Sequence, residues 1–401
     1  MLSPTSASPA WRPHGADPPS AFGHARRADF DLVAGVDHLN HGAYGSTPRA
    51  VLQASDRWRT RMEADPSIFF RRDLSGLLRE AAARVATCLG GRGEDWAFVE
   101  NATAGMNAII DSTSLAPGDE LICLSQVYGA VGNALKHRAS RSGARVVVVP
   151  VPVPFVDPEP LLTGLRAVIT SRSRLVTLDH VTSPGATVLP VADLVPICRD
   201  AGVPVAIDGA HAPGMLALDV PSLGADWYVG NLHKWAFAPR GTGVLWCAPA
   251  RQADLHPVSI SHDYGRGFTA EFDYCGTRDN SSWLASGAGL DYLEAIGRDR
   301  LRLHNNALAR EAGEMLARAW RSELSAGPEF LGSMAAVRLP NGAGGTRVNG
   351  RDLSTRLTEQ HGISCAVLAL EGGLWVRVSA QVYNEPVEYE RLAAIGVTLC
   401  R

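Results

Sequence analysis

Short apolar, β-branched segments alternate with segments of helical periodicity up to about residue 285 of this 401-residue chain. Only a few residues join each strand-like segment to the helical segment that follows it. Such alternation is typical of a mostly parallel sheet with helices on both faces. The pattern therefore predicts an α/β domain on a seven-stranded sheet. The predicted strands are Trp96–Glu100, Glu120–Leu124, Arg145–Pro150, Arg174–His180, Pro204–Ala210, Asp226–Gly230 and Gly243–Cys247.

The pattern changes near residue 285, where long helical segments replace the alternation. Two helical segments cover about 284–297 and 299–322, and strand-like and helical segments are mixed from there to the C-terminus. That mixture predicts a smaller C-terminal α+β domain. We therefore expect a flexible N-terminal tail, an N-terminal arm with a large domain, and a small domain, at residues 1–27, 28–285 and 286–401.

Composition and charge limit the partners that such a chain can have. The net charge of −3 creates no field that would attract nucleic acid or an acidic membrane surface. The apolar runs are interrupted by prolines and are too short to cross a bilayer, and the N-terminal residues lack a secretory signal pattern. The seven cysteines are scattered without CxxC spacing, so we expect no disulfide framework, no metal site and a cytoplasmic location.

Side chains able to bind a ligand follow successive predicted strands. In an open parallel sheet, ligands bind outside the carboxyl ends of the strands. The segment Asn101–Gly105 opens a helix and is suited to cradle an anion, and Tyr128 is suited to stack on a planar ring. Each has an ordinary alternative, which is a helix cap for Thr103 and a half-buried loop residue for Tyr128.

Small hydroxyls, a carboxylate and an amine complete the series at the next strand ends: Thr182 and Ser183, then Asp208, then His233 and Lys234. A carboxylate directly after a buried strand is costly unless it has a partner. Lys234 is one of only two lysines in a chain rich in arginine. Arginine can replace lysine as a surface charge but not as a nucleophilic amine, because the guanidinium stays protonated. The sequence therefore predicts a reactive amine at this position.

Pyridoxal 5′-phosphate is a ligand that uses all of these groups. Its phosphate needs an anion cradle, its ring a stacking partner, its phenolic oxygen a donor and its aldehyde an amine. Its ring nitrogen needs a carboxylate, because a protonated ring withdraws electrons from the α-carbon of an amino acid. The order of the groups along the strand ends thus favours this cofactor.

Seven motifs, in order along the chain, resemble those of the class V aminotransferase family, and most closely its isopenicillin N epimerase-like and cysteine lyase-like branch. The resemblance implies the type I fold of pyridoxal-phosphate-dependent transferases, with a large domain on a mostly parallel seven-stranded sheet and a smaller C-terminal α+β domain. The motifs are Leu39–Pro48, Asn101–Ile109, His180–Val191, Ala206–Gly214, Asp226–Trp246, Cys275–Ala285 and Leu374–Ala393.

The resemblance also implies the roles of residues around the cofactor. Lys234 forms the Schiff base with the cofactor and moves the α-proton, and Asp208 pairs with the ring nitrogen. His211 supports that side of the ring, although a hydrogen-bonded core histidine is the ordinary alternative. Tyr128 stacks on the ring, and Thr182 or Ser183 bonds its phenolic oxygen. The phosphate contacts are implied for Thr103, the Ala104 amide, His233 and, from a second subunit of a homodimer, Gly276 and Thr277.

For the substrate, the resemblance implies that Arg377 binds the α-carboxylate through its two-pronged guanidinium. An exposed strand arginine is the alternative, but the apolar neighbours Trp375 and Val376 favour an inward side chain. Three more residues would line the substrate entrance, namely Asn40, His41 and Tyr44. Relatives often carry Thr-Gly where this chain has Gly185-Ala186, so the loop that holds Thr182 and Ser183 is expected to bend differently here.

The same carbanion at the substrate α-carbon can lead to elimination, epimerisation or transamination. We favour a lyase reaction, such as β-elimination from an S-substituted cysteine, in actinobacterial natural-product or thiol metabolism. Epimerisation is the second interpretation, with Tyr44, His41 or a cysteine as the proton donor on the far face. A third is a desulfurase that uses Cys365, although an apolar strand context favours a buried structural cysteine there. A non-catalytic ligand-binding protein is disfavoured because Lys234 is present.

Overall fold

The structure is a computed structural model that describes residues 22–343 and 345–399. Residues 1–21 of the predicted tail lie outside the described part, whereas residues 22–27 lie inside it. Within the described chain, no helix combines the length and the apolar composition that crossing a membrane requires. The described cysteines are all free thiols, and no three His, Cys, Asp or Glu side chains of the described residues are grouped as metal ligands would be.

The predicted seven-stranded sheet is present in the strand order β2-β8-β7-β6-β5-β3-β4. Neighbouring strands are parallel except at β8, which runs antiparallel to both β7 and β2. The prediction of a mostly parallel α/β sheet is therefore confirmed. Its strands are β2 (Trp96–Val99), β3 (Glu120–Leu124), β4 (Arg145–Val149), β5 (Ser173–Asp179), β6 (Val205–Gly209), β7 (Trp227–Asn231) and β8 (Gly243–Cys247).

Both faces of this sheet are covered by apolar side chains. Along β3, Ile122 and Leu124 belong to one buried cluster, while Leu121 and Cys123 belong to another on the opposite face. This alternation follows from the two-residue period of a strand.

The helices up to residue 295 are α1 (His41–Tyr44), α2 (Arg49–Ala64), α3 (Pro66–Ile68), a π-helical turn (Phe69–Asp73), α4 (Leu74–Leu89), α5 (Ala102–Ser112), α6 (Gly129–Ser142), α7 (Glu159–Val168), α8 (Val191–Asp200), α9 (Phe268–Asp273), α10 (Ser281–Leu284) and α11 (Ser286–Ala295).

The C-terminal region contains a second, antiparallel sheet in the order β11-β12-β9. The central strand of this sheet, β12, carries Arg377, and Ala366 of β11 lies opposite Arg377. The α+β character predicted for this region is thus present. Its elements are α12 (Arg298–Trp320), β9 (Met334–Ala343), α13 (Arg347–His361), β10 (Ile363–Ser364), β11 (Ala366–Leu370), β12 (Gly373–Ser379) and α14 (Pro386–Leu399).

The N-terminal part of the described chain is fixed to the C-terminal part. The two-residue strand β1 (Asp37–His38) pairs in parallel with β10. Before it, a 3-10 turn at His24–Asp29 places Arg27 in an ion pair with the buried carboxylate of Glu388. Residues 24–27, predicted to belong to a loose tail, are therefore ordered, because they have charged and backbone partners more than 350 positions away.

Candidate active site

Lys234 lies in the connection that follows β7, with only 9% of its surface exposed. Its Nζ is 3.3 Å from Nε2 of His211, which lies in the connection that follows β6. Burial, followed by the positive charge of Arg377, lowers the pKa of Lys234 to about 7, while the carboxyl of Asp208 acts in the opposite direction. A substantial fraction of the amine is therefore neutral near physiological pH, as a nucleophile or base requires.

Asp208 and His211 are buried beside this amine. Oδ1 of Asp208 accepts a hydrogen bond from the N–H of Ala210 at 3.0 Å, and burial raises the pKa of the Asp208 carboxyl. Burial, then the charge of Lys234, holds the pKa of His211 well below its usual range, so the imidazole is neutral. Nδ1 of His211 is buried without a hydrogen-bond partner in the described chain. This orphaned nitrogen indicates space for a further polar group.

Two backbone amides in the turn from β2 into α5, predicted to cradle an anion, are bonded to asparagine side chains. Oδ1 of Asn231 accepts from the N–H of Ala102 at 2.8 Å, and Oδ1 of Asn101 accepts from the N–H of Ala104 at 3.0 Å. The Ala104 amide, predicted to bind phosphate, is thus used by the helix cap in this structure. A Cβ at Gly243 would lie 2.7 Å from the Cα of Asn101, so only glycine lets β8 approach this turn so closely.

Two further residues predicted to bind phosphate from this chain lie at the same edge of the sheet. Thr103 is half-buried in the first turn of α5. Nδ1 of His233 lies 3.0 Å from the carbonyl of Thr242, which can only accept, so Nδ1 carries the proton. Burial is the main cause that lowers the pKa of His233 to about 4. The Nε2 atom of the neutral ring is therefore an acceptor and must gain a proton to donate to a phosphate.

Tyr128 is positioned by a buried carboxylate. Its N–H lies 3.3 Å from Oδ1 of Asp179, the last residue of β5, and its side chain is 45% exposed. The hydroxyls of Thr182 and Ser183 are engaged within the chain: Oγ1 of Thr182 accepts from the N–H of Thr187, and Oγ of Ser183 accepts from Arg377. Ala186 in this loop has a φ of 55°, in the left-handed region, and the different bend expected from Gly185-Ala186 stays a prediction.

Arg377 points inward from β12 and is buried. Its Nη1 donates to the carbonyl of Ser183 at 2.7 Å, and its Nη2 donates to Oδ1 of Asn40 at 3.4 Å, while Nε has no partner in the described chain. Burial lowers the pKa of Arg377 to about 10, and the phenols of Tyr128 and Tyr44 act in the opposite direction. The guanidinium is charged at neutral pH, so its chemistry suits pairing with an anionic substrate group.

His41 and Tyr44 differ sharply in exposure. His41 is buried: its Nε2 donates to the Lys234 carbonyl at 2.9 Å, and its Nδ1 accepts from the Tyr383 hydroxyl at 3.0 Å. Burial lowers the pKa of His41 to about 4. One ring nitrogen holds the lysine loop and the other is bonded to Tyr383, so neither is free at a substrate entrance. Tyr44 is 73% exposed at the end of α1, where Gly45 is required because a Cβ there would lie 1.9 Å from the His233 carbonyl oxygen.

Gly276 and Thr277 are not brought to Lys234 by any contact within the described chain. Gly276 is half-buried with a φ of 115°, and Thr277 is exposed with its hydroxyl 3.2 Å from that of Tyr274. Cys365 lies between β10 and β11 and is buried, which raises the pKa of its thiol to about 12. A thiolate at this position is therefore strongly disfavoured.

Sequence reasoning gave no site role to two residues that the structure brings to the strand ends, Asn231 and Asp179. Asn231 bonds the first amide of α5, and Asp179 bonds the backbone of Tyr128. Asp179 could have been found by the rule that identified Asp208, because each is a carboxylate at the end of a buried strand. The partner of Asn231 could not, because that contact joins residues 129 positions apart.

The residues present fit pyridoxal 5′-phosphate. A buried amine lies within the electrostatic reach of a buried carboxyl, and a capped helix N-terminus follows a neighbouring strand. Nδ1 of His211 and Nε of Arg377 are buried without a partner in the described chain. Together with the sheet order, this site defines a pyridoxal-phosphate-dependent enzyme of the type I fold. The aminotransferase class-V family profile matches residues 39–392, and the chain belongs to that family.

Comparisons with known proteins agree with this assignment. The chain is 33% identical to a putative L-cysteine desulfhydrase of Oryza sativa subsp. japonica, over 91% of this chain and 84% of the relative. It is also 33% identical to an isopenicillin N epimerase of Amycolatopsis lactamdurans, over 93% of this chain and 97% of the relative. Among solved structures, an apo cysteine desulfurase from Thermococcus onnurineus NA1 superposes with a TM-score of 0.77 at 20% identity, covering 94% of this chain and 98% of that one.

Proposed function

We propose that this enzyme is a carbon–sulfur lyase that eliminates the β-substituent of cysteine or an S-substituted cysteine. The observation that carries the proposal is a buried, partly neutral amine at Lys234 near a buried guanidinium at Arg377, while His41 is held by two hydrogen bonds and Cys365 is buried. The desulfhydrase relatives, at 30–33% identity over most of the chain, support the same reaction class.

Each polar residue of the site has its own role in the proposed reaction. Arg377 binds the substrate carboxylate, with Asn40 and Ser183 holding the guanidinium in place. Lys234 takes the proton from the α-carbon, and His211 holds the amine in position. Asp208 keeps the pyridine nitrogen protonated. When bound, the cofactor supplies the electron sink that makes the α-proton acidic.

In the proposed β-elimination, the electron pair of the Cα–H bond forms a Cα=Cβ bond. The Cβ–S bond breaks at the same time, and sulfur leaves as a thiol or sulfide. The released enamine takes up water to give a 2-keto acid and ammonia. Elimination in this form needs no oxidant and no second acid on the far face of the substrate.

The surroundings of the other candidate proton donors and of Cys365 favour elimination over epimerisation and desulfuration. His41 is held by two hydrogen bonds, so it is not a mobile acid for epimerisation. Cys365 is buried in the small sheet region, so it is not placed to carry a persulfide. Tyr44, also a candidate far-face donor, is exposed, and it supports epimerisation as the second proposal, as do the epimerase relatives.

The experiment is incubation of the cofactor-loaded enzyme with cysteine and a panel of S-substituted cysteines in heavy water, with mass spectrometry of the products. A lyase gives a keto acid, ammonia and a thiol. An epimerase gives the intact amino acid with one deuterium at the α-carbon and inverted configuration. Tyr44→Phe separates the two, because it removes the far-face donor from epimerisation and leaves elimination running.

Lys234→Ala is the matched control and should lower either reaction by about a hundredfold or more. If cysteine-type substrates give neither product while deuterium exchange occurs with another amino acid, the lyase proposal is wrong and the α-carbon chemistry remains. A product sulfur atom found on Cys365 would instead make the protein a desulfurase.

We further propose that the enzyme is a cytoplasmic homodimer in a biosynthetic or thiol-processing pathway. The exposed Thr277 and the left-handed Gly276 support the dimer, because they suit a loop that completes a neighbouring site. The predicted division at residues 28–285 and 286–401 remains a proposal. It is supported by the seven-stranded sheet before residue 285 and the three-stranded sheet after it, while the short β1-β10 pair joins the two parts.

A further inference from the structure

Asp179 is a buried carboxyl that the proposed reaction does not use. It ends β5 directly beside β6, and its Cα is in register with that of Asp208. Residues in register on neighbouring parallel strands point to the same face, and the strands are about 4.8 Å apart. Asp179 therefore lies on the cofactor side of the sheet, next to the carboxylate that pairs with the ring nitrogen.

The two carboxyl oxygens of Asp179 differ in their hydrogen bonding. Oδ1 accepts the N–H of Tyr128, the residue that precedes α6 and whose phenol acts on the charge of Arg377. Oδ2 is buried with no hydrogen-bond partner in the described chain, and the whole residue is only 3% exposed. The titratable groups that face Asp179 are Asp208 from β6 and Cys123 from β3, and neither can supply a positive charge.

Two adjacent buried carboxyls cannot both be ionised at low cost when one cation serves the pair. The available cation is Lys234, whose charge acts on Asp208. Burial, then the charge of Asp208, raises the pKa of Asp179 well above its usual value. The positions of the two carboxyls and the location of the nearby cation thus both indicate that Asp179, not Asp208, carries a proton.

We propose that Asp179 is a positioning residue that stays protonated, holds Tyr128 over the cofactor ring through Oδ1, and leaves the negative charge of the site to Asp208 alone. A protonated acid still accepts at Oδ1 and carries its proton on Oδ2, the oxygen that has no donor. The inference rests on the cofactor position in the proposed function but not on which reaction the enzyme catalyses.

The test uses holoenzyme carrying Asp179→Asn or Asp179→Leu, and two readouts without substrate. One is the pH at which the visible absorption of the lysine-bound cofactor titrates, and the other is the Kd of pyridoxal phosphate for the apoenzyme. Asn is a neutral isostere that still accepts from Tyr128, whereas Leu cannot accept. Thr177→Val is the matched control, because Thr177 is buried on the same face of β5, two residues earlier.

We expect Asp179→Asn and Thr177→Val to titrate at the same pH as the unmodified enzyme. Asp179→Leu should raise the Kd about tenfold, because the partly buried N–H of Tyr128 loses its acceptor. A fall of about one unit or more in the titration of Asp179→Asn would show that an ionised Asp179 had stabilised the cationic form, and would overturn the proposal.

An unchanged Kd in Asp179→Leu would equally overturn the positioning role. If Asp179→Leu does not fold, Asp179→Asn alone still decides the charge state. Both readouts are taken without substrate, so they can be measured even if the enzyme eliminates nothing from the substrate panel. The role of Asp179 and the lyase reaction are therefore tested independently.

Discussion

Lys234 has an amine whose charge state is governed by its neighbours. Burial and Arg377 lower its pKa to about 7, so the neutral fraction rises as pH increases through 7 and is nearly complete about one unit above. Capture of pyridoxal phosphate by the apoenzyme needs the neutral amine. We expect its rate to rise between about pH 6 and 8 and then to level off, as followed by the growth of visible absorption.

Arg377→Gln tests whether the charge of Arg377 lowers the pKa of Lys234. Removing this cation takes away a charge that opposes protonation, so the inflection should move to higher pH. Ionisation of free pyridoxal phosphate is the same in both experiments and cancels in the comparison. A rate that climbs without a plateau to pH 9 in the unmodified protein would contradict a lowered pKa.

At the residue scale, the sequence predicted which side chains come close together better than it predicted their orientation. Asp208 and Lys234 could be found because strand ends of a parallel sheet converge on one edge. The orientation of His41 could not, because it depends on Tyr383, which is 342 positions away. Hydrogen-bond partners at such separation leave no local pattern.

At the element scale, the strands and long helices follow from periodicity, whereas the short elements do not. The predicted strand runs coincide with β2 to β8 to within a few residues. The pairing of β1 with β10 joins two-residue strands about 325 positions apart, and the π-helical turn at Phe69–Asp73 interrupts an otherwise ordinary helical pattern. Both are set by tertiary packing, which overrides local propensity.

The strands around Cys365 lead to a prediction at the same scale. Cys365 lies between β10 and β11, and β11 is paired along its length with β12, so the segment is fixed rather than a mobile loop. We expect Cys365→Ala to retain turnover to within about twofold and to lose about 1 kcal/mol of unfolding free energy from the lost side-chain packing. Turnover assays and denaturant unfolding of the variant check this.

Alkylation of the native enzyme supplies an independent measure. A thiol reagent should modify the half-buried Cys88 and Cys275 before Cys365, and peptide mass spectrometry identifies the order. Loss of turnover in Cys365→Ala by a hundredfold, or modification of Cys365 first, would restore the desulfurase interpretation.

At the scale of the whole molecule, the open side of the site is where a second subunit would fit. Tyr44 and Tyr128 are exposed beside the buried Arg377, although large aromatic side chains are usually covered. Tyr264, Val258 and Ile260 are also exposed, in the segment that precedes Gly276. Exposed apolar side chains of this kind are typical of surfaces that associate, so they support the proposed homodimer.

Complementation between two inactive variants tests whether this face is shared. Lys234→Ala removes the amine, and Thr277→Glu places a negative charge where the cofactor phosphate of the partner would lie. Co-expressed in equal amounts, they form mixed dimers in half of all cases. If Thr277 serves the partner's site, one of the two sites in each mixed dimer combines an intact lysine with an intact loop, and about a quarter of the full activity returns. If Thr277 serves its own chain, every site in the mixture carries a defect and no activity returns, although light scattering would still report a dimer.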